Sequence, residues 1–303
     1  MSKAKRGIYA AAVSPFTENG RLDAERLVTY CQYLLSDGGC DGVAPTGTTG
    51  EGNSIAMIDK LALPPKFAKA GLSGDTVIFG TGACAVNDAI SLSRNALDHG
   101  FPNVLVLPPF YYKAPTDEGL YTHFAQLIER VASNDLRVYL YHFPQMSTVP
   151  FSTDLVVRLK KDFGAIIAGL KDSSGDFEQS RAFAEATGGV DADFDVYPSS
   201  EAMYFDGKSA GCAGIISGST NAFANLVQSA ITAGGGAAFD AVKAARATAA
   251  KYPLMAAMKQ VEAWRSGDDA WLRMAPPLVP LTDEQRTSLR ADLAALETEK
   301  EPV

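Results

Sequence analysis

The sequence predicts an α/β fold, and within that class a (β/α)8 TIM barrel followed by a C-terminal helical extension. Short apolar runs alternate with longer amphipathic stretches along most of the chain, which is typical of βα units built around a parallel sheet. Eight such runs are present, whereas an open doubly wound sheet usually has about five or six strands. The chain of 303 residues also has room for a barrel, which typically takes about 250 residues.

Strands and helices are predicted in strict alternation. The predicted strands are 8–13, 42–45, 77–79, 104–107, 138–141, 166–170, 194–197 and 213–216. The predicted helices that follow them are 24–36, 56–70, 87–98, 118–133, 153–161, 176–186, 200–208 and 221–231. No glycine-rich dinucleotide turn follows a strand, which argues against a nucleotide-binding open sheet.

The alternation stops after the glycines at 234–236, and only helical patterns follow. These are 237–264, 270–274 and 283–296, with prolines at 276, 277 and 280 as punctuation. We therefore predict a barrel over residues 1–232 and a helical extension over residues 233–303. The Ala-rich extension is expected to cover either the barrel or a partner subunit, and the sequence does not distinguish the two.

Composition excludes several classes of function. The chain has 27 basic and 35 acidic residues, a net charge of -8, which argues against nucleic acid because phosphate binding requires clustered Lys and Arg. No stretch approaches the roughly 18 apolar residues of a membrane span. The four cysteines form no CxxC pair and suggest neither a zinc site nor a disulfide framework. A cytoplasmic protein without nucleic-acid or membrane partners, metal or cofactor is expected.

Lys171 is the candidate nucleophile. It directly follows the apolar run 166–170, so it is expected at the carboxyl end of the sixth strand. Chemistry in such barrels sits at that end, and partial burial there favours the neutral amine that imine formation requires. The alternative is a structural lysine that extends to solvent or pairs with Asp172.

Tyr141 is predicted to lie at the mouth of the barrel, at the end of the fifth strand. The period of two puts Tyr139 and Tyr141 on one side of that strand, with Tyr141 nearer the mouth. A phenol at this position is suited to relaying a proton during imine formation and carbon–carbon cleavage. The alternative is an aromatic side chain that only fills the barrel.

The loop after the second strand, residues 45–51, combines glycines with hydroxyl side chains. Glycines allow a close backbone approach, and successive amides in such a turn can cradle a carboxylate. The hydroxyls of Thr48 and Thr49 could hold that carboxylate and pass protons to Tyr141. A phosphate loop is discounted because the Walker lysine is absent, and a plain loop with helix-capping threonines is the alternative.

Taken together, these residues resemble the dihydrodipicolinate synthase and N-acetylneuraminate lyase family of pyruvate-dependent class I aldolases. The resemblance runs from Tyr9 to about Leu281 and rests on five motifs in order. They are Gly47-Thr48-Thr49-Gly50-Glu51, Phe110-Tyr111-Tyr112 with Glu118-Gly119-Leu120-Tyr121, Tyr141 with Pro144, Leu170-Lys171-Asp172-Ser173-Ser174-Gly175, and Gly211, Gly214, Ile216 and Ser217 with Asn221.

The resemblance implies roles for the candidate residues. Lys171 would be the Schiff-base lysine, Tyr141 the proton relay above it, and Thr48 and Thr49 the hydroxyls of the relay and the carboxylate cradle. Tyr112 resembles the tyrosine that such enzymes lend across a tight dimer to a neighbour's active site. The family also implies a homotetramer, a dimer of dimers. The predicted catalytic residues are Lys171, Tyr141, Thr49 and Tyr112, and the predicted substrate-binding residues are Gly47, Thr48, Ser173, Ser200, Glu201 and Ile216.

Two departures from the family pattern bear on the substrate. Where the synthases of lysine biosynthesis have an arginine that binds the second substrate's carboxylate, this chain has Met146, which cannot do so. After the seventh strand, where sugar-acid lyases touch the polyol tail of the substrate, the chain has Ser200 and Glu201. These residues, with Ser173, are suited to hydroxyl contacts, although they would equally cap the next helix.

The predicted function is a Schiff-base-forming lyase or aldolase that acts through Lys171. Its substrate would be a 2-oxo acid, either pyruvate with an aldehyde or a 2-keto-3-deoxy sugar acid. Three alternatives stay open: a 4-hydroxy-tetrahydrodipicolinate (dihydrodipicolinate) synthase, a dehydratase or deaminase that uses the same imine, and a non-catalytic barrel that binds a 2-oxo acid. The intact set of Lys171, Tyr141, Thr48 and Thr49 argues against the last.

Overall fold

The computed structural model describes residues 2–298 and has eight strands in the predicted alternation with helices. The strands are β1 (Ile8–Ala10), β2 (Gly42–Val43), β3 (Phe79–Gly80), β4 (Asn103–Val106), β5 (Arg137–His142), β6 (Ile167–Asp172), β7 (Asp195–Pro198) and β8 (Ile215–Ser217). The barrel helices are α1 (Ala24–Ser36), α2 (Met57–Leu61), α3 (Leu63–Lys69), α4 (Val86–Asp98), α5 (Asp117–Val131), α6 (Pro144–Ser147), α7 (Thr153–Phe163), α8 (Phe177–Thr187), α9 (Tyr204–Ser209) and α10 (Thr220–Thr232). The extension contributes α11 (Ala237–Ala250), α12 (Leu254–Ser266) and α13 (Asp283–Thr298).

The strands pair in parallel and the ring closes through backbone hydrogen bonds. Strands β3 to β7 pair in order, and β1 pairs with β2 on one side and β8 on the other. Val43 joins the two sheets, because its N–H donates to the Thr76 carbonyl (2.8 Å) and its carbonyl accepts from the Ile78 N–H (3.0 Å). On the opposite side the Ala213 N–H donates to the Val196 carbonyl (2.9 Å). The predicted (β/α)8 barrel is therefore confirmed.

Side chains on the strands alternate between two cores. Those that point inwards include Tyr9, Tyr139 and Tyr197, whose rings fill the barrel. The ring centroid of Tyr197 lies 5.8 Å from that of Tyr9 and 6.1 Å from that of Tyr139. The hydroxyls of Tyr9 and Tyr197 turn towards the Lys5 carbonyl at the amino end of the barrel. Outward side chains pack against the helices in the larger core. The aromatic floor leaves the carboxyl end of the barrel for the functional groups.

Two predicted helices are interrupted in the structure. The segment 56–70 forms α2 and α3, because Pro64 and Pro65 occupy the first turn of α3 and cannot donate to the turn before. The segment 237–264 forms α11 and α12, and the break falls at Pro253, which immediately precedes α12. In the part of the chain that the structure describes, no helix is long and apolar enough to cross a membrane.

The extension packs on the chain's own barrel, which answers the question that the sequence left open. Trp271 is only 2% exposed, and its ring meets that of Tyr30 on α1 edge-on with centroids 4.8 Å apart. The segment predicted as helix 270–274 forms a single 3₁₀ turn at Asp269–Leu272 instead. The division of the chain at residue 232 stays a prediction, and Met1 and residues 299–303 lie outside the described residues.

We expect Trp271→Ala to destabilise the whole chain by about 3–5 kcal/mol, because its ring fills a core shared by the extension and the barrel. Trp264→Ala is the matched control, since this tryptophan of the same extension is only half-buried and should cost less. Urea unfolding followed by far-UV circular dichroism measures both. An early, separate transition in Trp271→Ala that leaves the barrel intact would contradict the shared core.

Candidate active site

Lys171 and Tyr141 are brought together by the pairing of β5 with β6, in which they are direct partners. The Lys171 Nζ donates to the Tyr141 Oη at 3.3 Å. Lys171 lies inside β6 rather than after the strand as predicted, because it also pairs with Tyr197 of β7. Its backbone is therefore held on both sides.

A register shift in β6 turns Lys171 into the barrel. Val138 pairs with Ile167, but the next residue, Tyr139, pairs with Gly169, so β6 contains one extra residue. Such a bulge changes which side chains face inwards, because the side-chain period of a strand is two. Gly169 has no room for a side chain, since a Cβ there would lie 2.2 Å from the Asp195 carbonyl oxygen. Beyond the shift, Leu170 faces the helices and Lys171 faces the barrel interior.

The Lys171 side chain is buried, with 2% of its surface exposed. The neighbouring Asp172 faces the helices, where its Oδ2 accepts from the Ser180 hydroxyl (2.6 Å) and its Oδ1 from the Ser174 N–H (2.9 Å). The alternative in which Lys171 is a structural lysine paired with Asp172 is therefore not what the chain adopts. A buried amine that shares a hydrogen bond with a phenol is available for chemistry.

The hydrogen bond continues from Tyr141 to the loop after β2. The Tyr141 Oη donates to the Thr48 Oγ1 at 3.2 Å, so the amine, the phenol and the hydroxyl form a row. The ring of Phe143 stacks on that of Tyr141, with centroids 5.9 Å apart and planes 29° apart. The row runs from the buried amine to the half-buried Thr48 and can carry a proton between them.

The loop after β2 is closed on itself by backbone hydrogen bonds. The Gly52 N–H donates to the Gly47 carbonyl (2.9 Å) and the Glu51 N–H to the Thr48 carbonyl (3.0 Å). Only glycine can occupy position 52, because a Cβ there would lie 1.9 Å from the Thr46 carbonyl oxygen. These contacts fix the position of Thr48 next to Tyr141.

The same loop carries a buried ion pair that sequence reasoning missed. The Glu51 Oε1 lies 2.7 Å from the Nζ of Lys259 on α12, and both side chains are buried. Burial lowers the pKa of Lys259, and the Glu51 carboxylate acts in the opposite direction. The available signal was a lone lysine directly after the apolar stretch 254–258 that begins α12.

Thr49 lies on the other side of the loop, away from the hydrogen-bonded row. A Cβ on Gly218 would lie 3.0 Å from the Thr49 Oγ1 and 2.8 Å from the Leu254 Cδ2. Thr49 therefore faces the loop after β8 and the first residue of α12. Ile216, on strand β8 itself, points into the inner core of the barrel.

Ser173 and Ser200 lie half-buried in the loops that follow β6 and β7. The Ser173 N–H donates to the His142 carbonyl at 2.7 Å, which holds the start of its loop against β5. The Ser200 carbonyl accepts from the Met203 N–H in the turn after β7. Both residues lie at the carboxyl end of the barrel, and their contact with a substrate stays a prediction.

Glu201 does not join this group, contrary to expectation. Its Oε2 accepts from the hydroxyls of Ser217 and Ser219, each at 3.0 Å, and lies 3.7 Å from the Arg246 Nε of α11. Ser217 follows the inward-facing Ile216, so the period of two turns it towards the helices. Glu201 is therefore buried between β8 and α11 and does not reach the barrel interior.

Tyr112 is 79% exposed on the loop after β4, where its ring meets that of Tyr111 edge-on with centroids 5.4 Å apart. Its role across a dimer stays a prediction. Within the described residues, no group of three or more His, Cys, Asp or Glu side chains is arranged to hold a metal ion.

A parallel barrel with a buried lysine and a proton-carrying row at its carboxyl end is the arrangement of a barrel enzyme. The sequence model of the dihydrodipicolinate synthetase family matches residues 4–296. An uncharacterized DapA-like lyase of Chloroflexus aurantiacus is 35% identical, over 94% of this chain and 95% of that protein. The 4-hydroxy-tetrahydrodipicolinate synthase of Bacillus subtilis is 29% identical, over 95% of this chain and 98% of that protein. The crystal structure of a dihydrodipicolinate synthase of Bacillus anthracis superposes with a TM-score of 0.84 at 28% identity and covers 100% of both chains.

The chain belongs to the dihydrodipicolinate synthetase family. The family, the enzyme class and the function predicted from the sequence, a lyase with Schiff-base chemistry, are thereby confirmed. The roles of individual residues and the substrate are matters for proposal.

Proposed function

We propose that this lyase cleaves or forms the carbon–carbon bond between C3 and C4 of a 2-oxo acid, one carbon away from the keto group at C2, with Lys171 as the nucleophile. The observation that carries the proposal is the row from the Lys171 Nζ to the Tyr141 Oη (3.3 Å) and on to the Thr48 Oγ1 (3.2 Å). An amine is the nucleophile that attacks a ketone to form an imine, and the Lys171 amine is buried beside a phenol and is not paired with Asp172.

Imine formation needs protons to be moved at the keto oxygen. The Lys171 nitrogen bonds to the keto carbon, and the oxygen leaves as water after it receives two protons. The Tyr141 hydroxyl is placed to deliver and recover them, because it contacts the amine on one side and Thr48 on the other. The protonated imine then accepts the electron pair of the C3–C4 bond that breaks. Tyr141, which gave up a proton to the leaving water, takes the proton of the C4 hydroxyl, and that oxygen becomes the carbonyl of the released aldehyde.

The carboxylate of the 2-oxo acid is assigned to the loop after β2. Thr48 and Thr49 supply hydroxyls, and backbone amides near Gly47 supply further donors. Ile216 forms an apolar wall inside the barrel. Ser173 and Ser200 are proposed to contact the distal part of the substrate.

The second substrate, or the distal part of a cleaved one, is proposed to lack a carboxylate. Met146 is 56% exposed near the mouth. In the loops after β4 and β5, residues 107–116 and 143–152, Lys113 is the one cationic residue, and its ammonium donates to the carbonyls of Phe110 and Ser147. Uncharged, hydroxylated aldehydes therefore suit this site better than acidic ones, as in cleavage of a 2-keto-3-deoxy sugar acid.

A 4-hydroxy-tetrahydrodipicolinate synthase is the second candidate. It is favoured by the name of the Bacillus subtilis relative and opposed by Met146.

For the assembly we propose a homotetramer of tight dimers in the cytoplasm, in which the exposed Tyr112 enters the partner's site.

Borohydride reduction in the presence of pyruvate tests the nucleophile. We expect a covalent adduct by intact mass in the wild type and none in Lys171→Ala, because only an imine is reduced to a stable amine. Lys113→Ala is the matched control and should retain the adduct. Absence of an adduct in the folded wild type would rule out the proposed chemistry.

Tyr141→Phe should slow imine formation by about 10²–10⁴-fold, because it removes the proton-carrying hydroxyl. The rate is measured by quenching the reaction with borohydride at increasing times. Tyr139→Phe is the matched control, since this buried tyrosine lies two residues deeper on the same strand. An unchanged rate in Tyr141→Phe would assign the proton transfer to another group.

Met146→Arg should raise kcat/KM for aspartate semialdehyde with pyruvate by about 10–100-fold, because a charge-assisted hydrogen bond to its carboxylate contributes about 1.5–3 kcal/mol. Met146→Leu keeps the site apolar and should give no gain.

In the wild type, kcat/KM for a panel of 3-deoxy-2-oxo sugar acids should exceed that for aspartate semialdehyde. The reverse order would identify the chain as the synthase.

A further inference from the structure

We propose that Glu51 and Lys259 are positioning residues through which the C-terminal extension holds the threonine loop, residues 46–52, in line with Tyr141. This inference rests on the proposed function, because it concerns the proton-carrying row. It makes the extension part of the catalytic arrangement rather than a cover for the barrel.

Glu51 belongs to the same closed turn as Thr48. The Glu51 N–H donates to the Thr48 carbonyl at 3.0 Å, so a movement of the carboxylate moves the threonine. Thr48 is in turn the acceptor for the Tyr141 hydroxyl. A chain of direct contacts therefore joins the ion pair to the reacting amine. The contacts run from Lys259 to Glu51, from Glu51 to Thr48, from Thr48 to Tyr141 and from Tyr141 to Lys171.

Two separate segments of the extension converge on the Glu51 carboxylate. The Lys259 Nζ contacts Oε1 at 2.7 Å, and the N–H of Ala275, which follows the turn at Asp269–Leu272, donates to Oε2 at 2.7 Å. The Lys259 ammonium also donates to the Arg273 carbonyl. Both carboxylate oxygens and the ammonium are therefore satisfied by groups that tie the loop to the extension.

The loop needs such support because its backbone is strained. Thr46 and Glu51 have φ of 60° and 53° without being glycine, and such conformations persist only where the surroundings impose them. Thr46 is restrained by its hydroxyl, which donates to the Gly80 carbonyl at 2.9 Å. The Glu51 side chain is restrained by its two contacts with the extension, from the Lys259 ammonium and the Ala275 N–H.

Stability by itself is a poor reason for this pair. Two buried charges lose their hydration, and apolar residues of similar volume often serve as well or better. A directional, doubly bound carboxylate does supply a fixed geometry. A second feature agrees with this, because Leu254 of α12 and Thr49 of the loop both lie close to Gly218 in the loop after β8.

The test is the double variant Glu51→Gln/Lys259→Met, which removes the ion pair without leaving an unpaired charge. We expect urea unfolding close to that of the wild type, the same final extent of borohydride-trapped adduct with pyruvate, and imine formation slowed by about tenfold or more, as for loss of a well-placed proton carrier. The KM for the 2-oxo acid should rise together with this slowing, because the same loop is proposed to hold the substrate carboxylate. Glu262→Gln/Arg265→Met is the matched control, since this pair on the same helix α12 does not contact the loop.

A Thr48→Val background separates positioning from general damage. If the pair acts through Thr48, its removal should slow the Thr48→Val enzyme by less than about twofold, because the shared effect is already lost. Equal slowing in both backgrounds would overturn the inference, and so would a double variant with the wild-type rate. If the double variant does not fold, Glu51→Asp, which keeps both charges and shortens the reach of the carboxylate by one methylene, is measured by the same criteria.

The failure of this inference is distinguishable from failure of the proposed function. If the wild type gives no trapped adduct, the Lys171 chemistry itself is ruled out. A trapped adduct whose rate is indifferent to Glu51 and Lys259 leaves that chemistry intact and removes only the positioning role.

Discussion

The irregular pairing of β5 with β6 is the constraint on which the site depends. One extra residue in β6 sets Lys171 opposite Tyr141, and with regular pairing from Val138 and Ile167 the partner of Tyr141 would be Leu170. The amine would then face the helices and the barrel would present an alkyl group to the phenol. Gly169 makes the shift possible, because any larger residue would collide with β7. The chemistry therefore depends on a local backbone feature as much as on the identity of the lysine.

The rest of the site is arranged around that pair of strands. The loop after β2 brings Thr48 to the far side of Tyr141, and the ring of strands closes through Val43, the last residue of β2. Closure therefore sets the distance between loop and tyrosine. The extension then adds the Glu51 contacts from outside the barrel, so a segment that follows the last barrel helix bears on the first loops of the chain.

The sequence predicted what depends on local pattern. The alternation of apolar runs located all eight strands, and Lys171, Tyr141 and Thr48 were assigned from their positions at or after the ends of strands. Lys259 was missed because its partner Glu51 is 208 residues away, and no periodicity reports such a contact. Glu201 was misplaced because a difference of one residue along the chain decides whether a side chain faces the barrel interior or the helices. Its partners Ser217 and Ser219 could not be identified from the sequence. The prolines at 64 and 253 carried the signal for the helix breaks, but the apolar patterns on both sides outweighed it.

Family membership and substrate rest on different parts of the molecule. In the proposed reaction, Lys171 and the row that leads to Thr48 create an electron sink at the keto carbon, and that chemistry is common to synthesis and cleavage. The partner that is joined or released is proposed to meet the loops after β4 to β7 instead, where Met146 and the serines at 173 and 200 lie. A carboxylate brought there would lose water without gaining a free cation, since the Lys113 ammonium is bound to two carbonyls. A hydroxylated chain loses less, because hydroxyls can exchange water for serine hydroxyls and backbone carbonyls. Under the proposed function, desolvation at the mouth, rather than the imine below it, is therefore what selects the substrate.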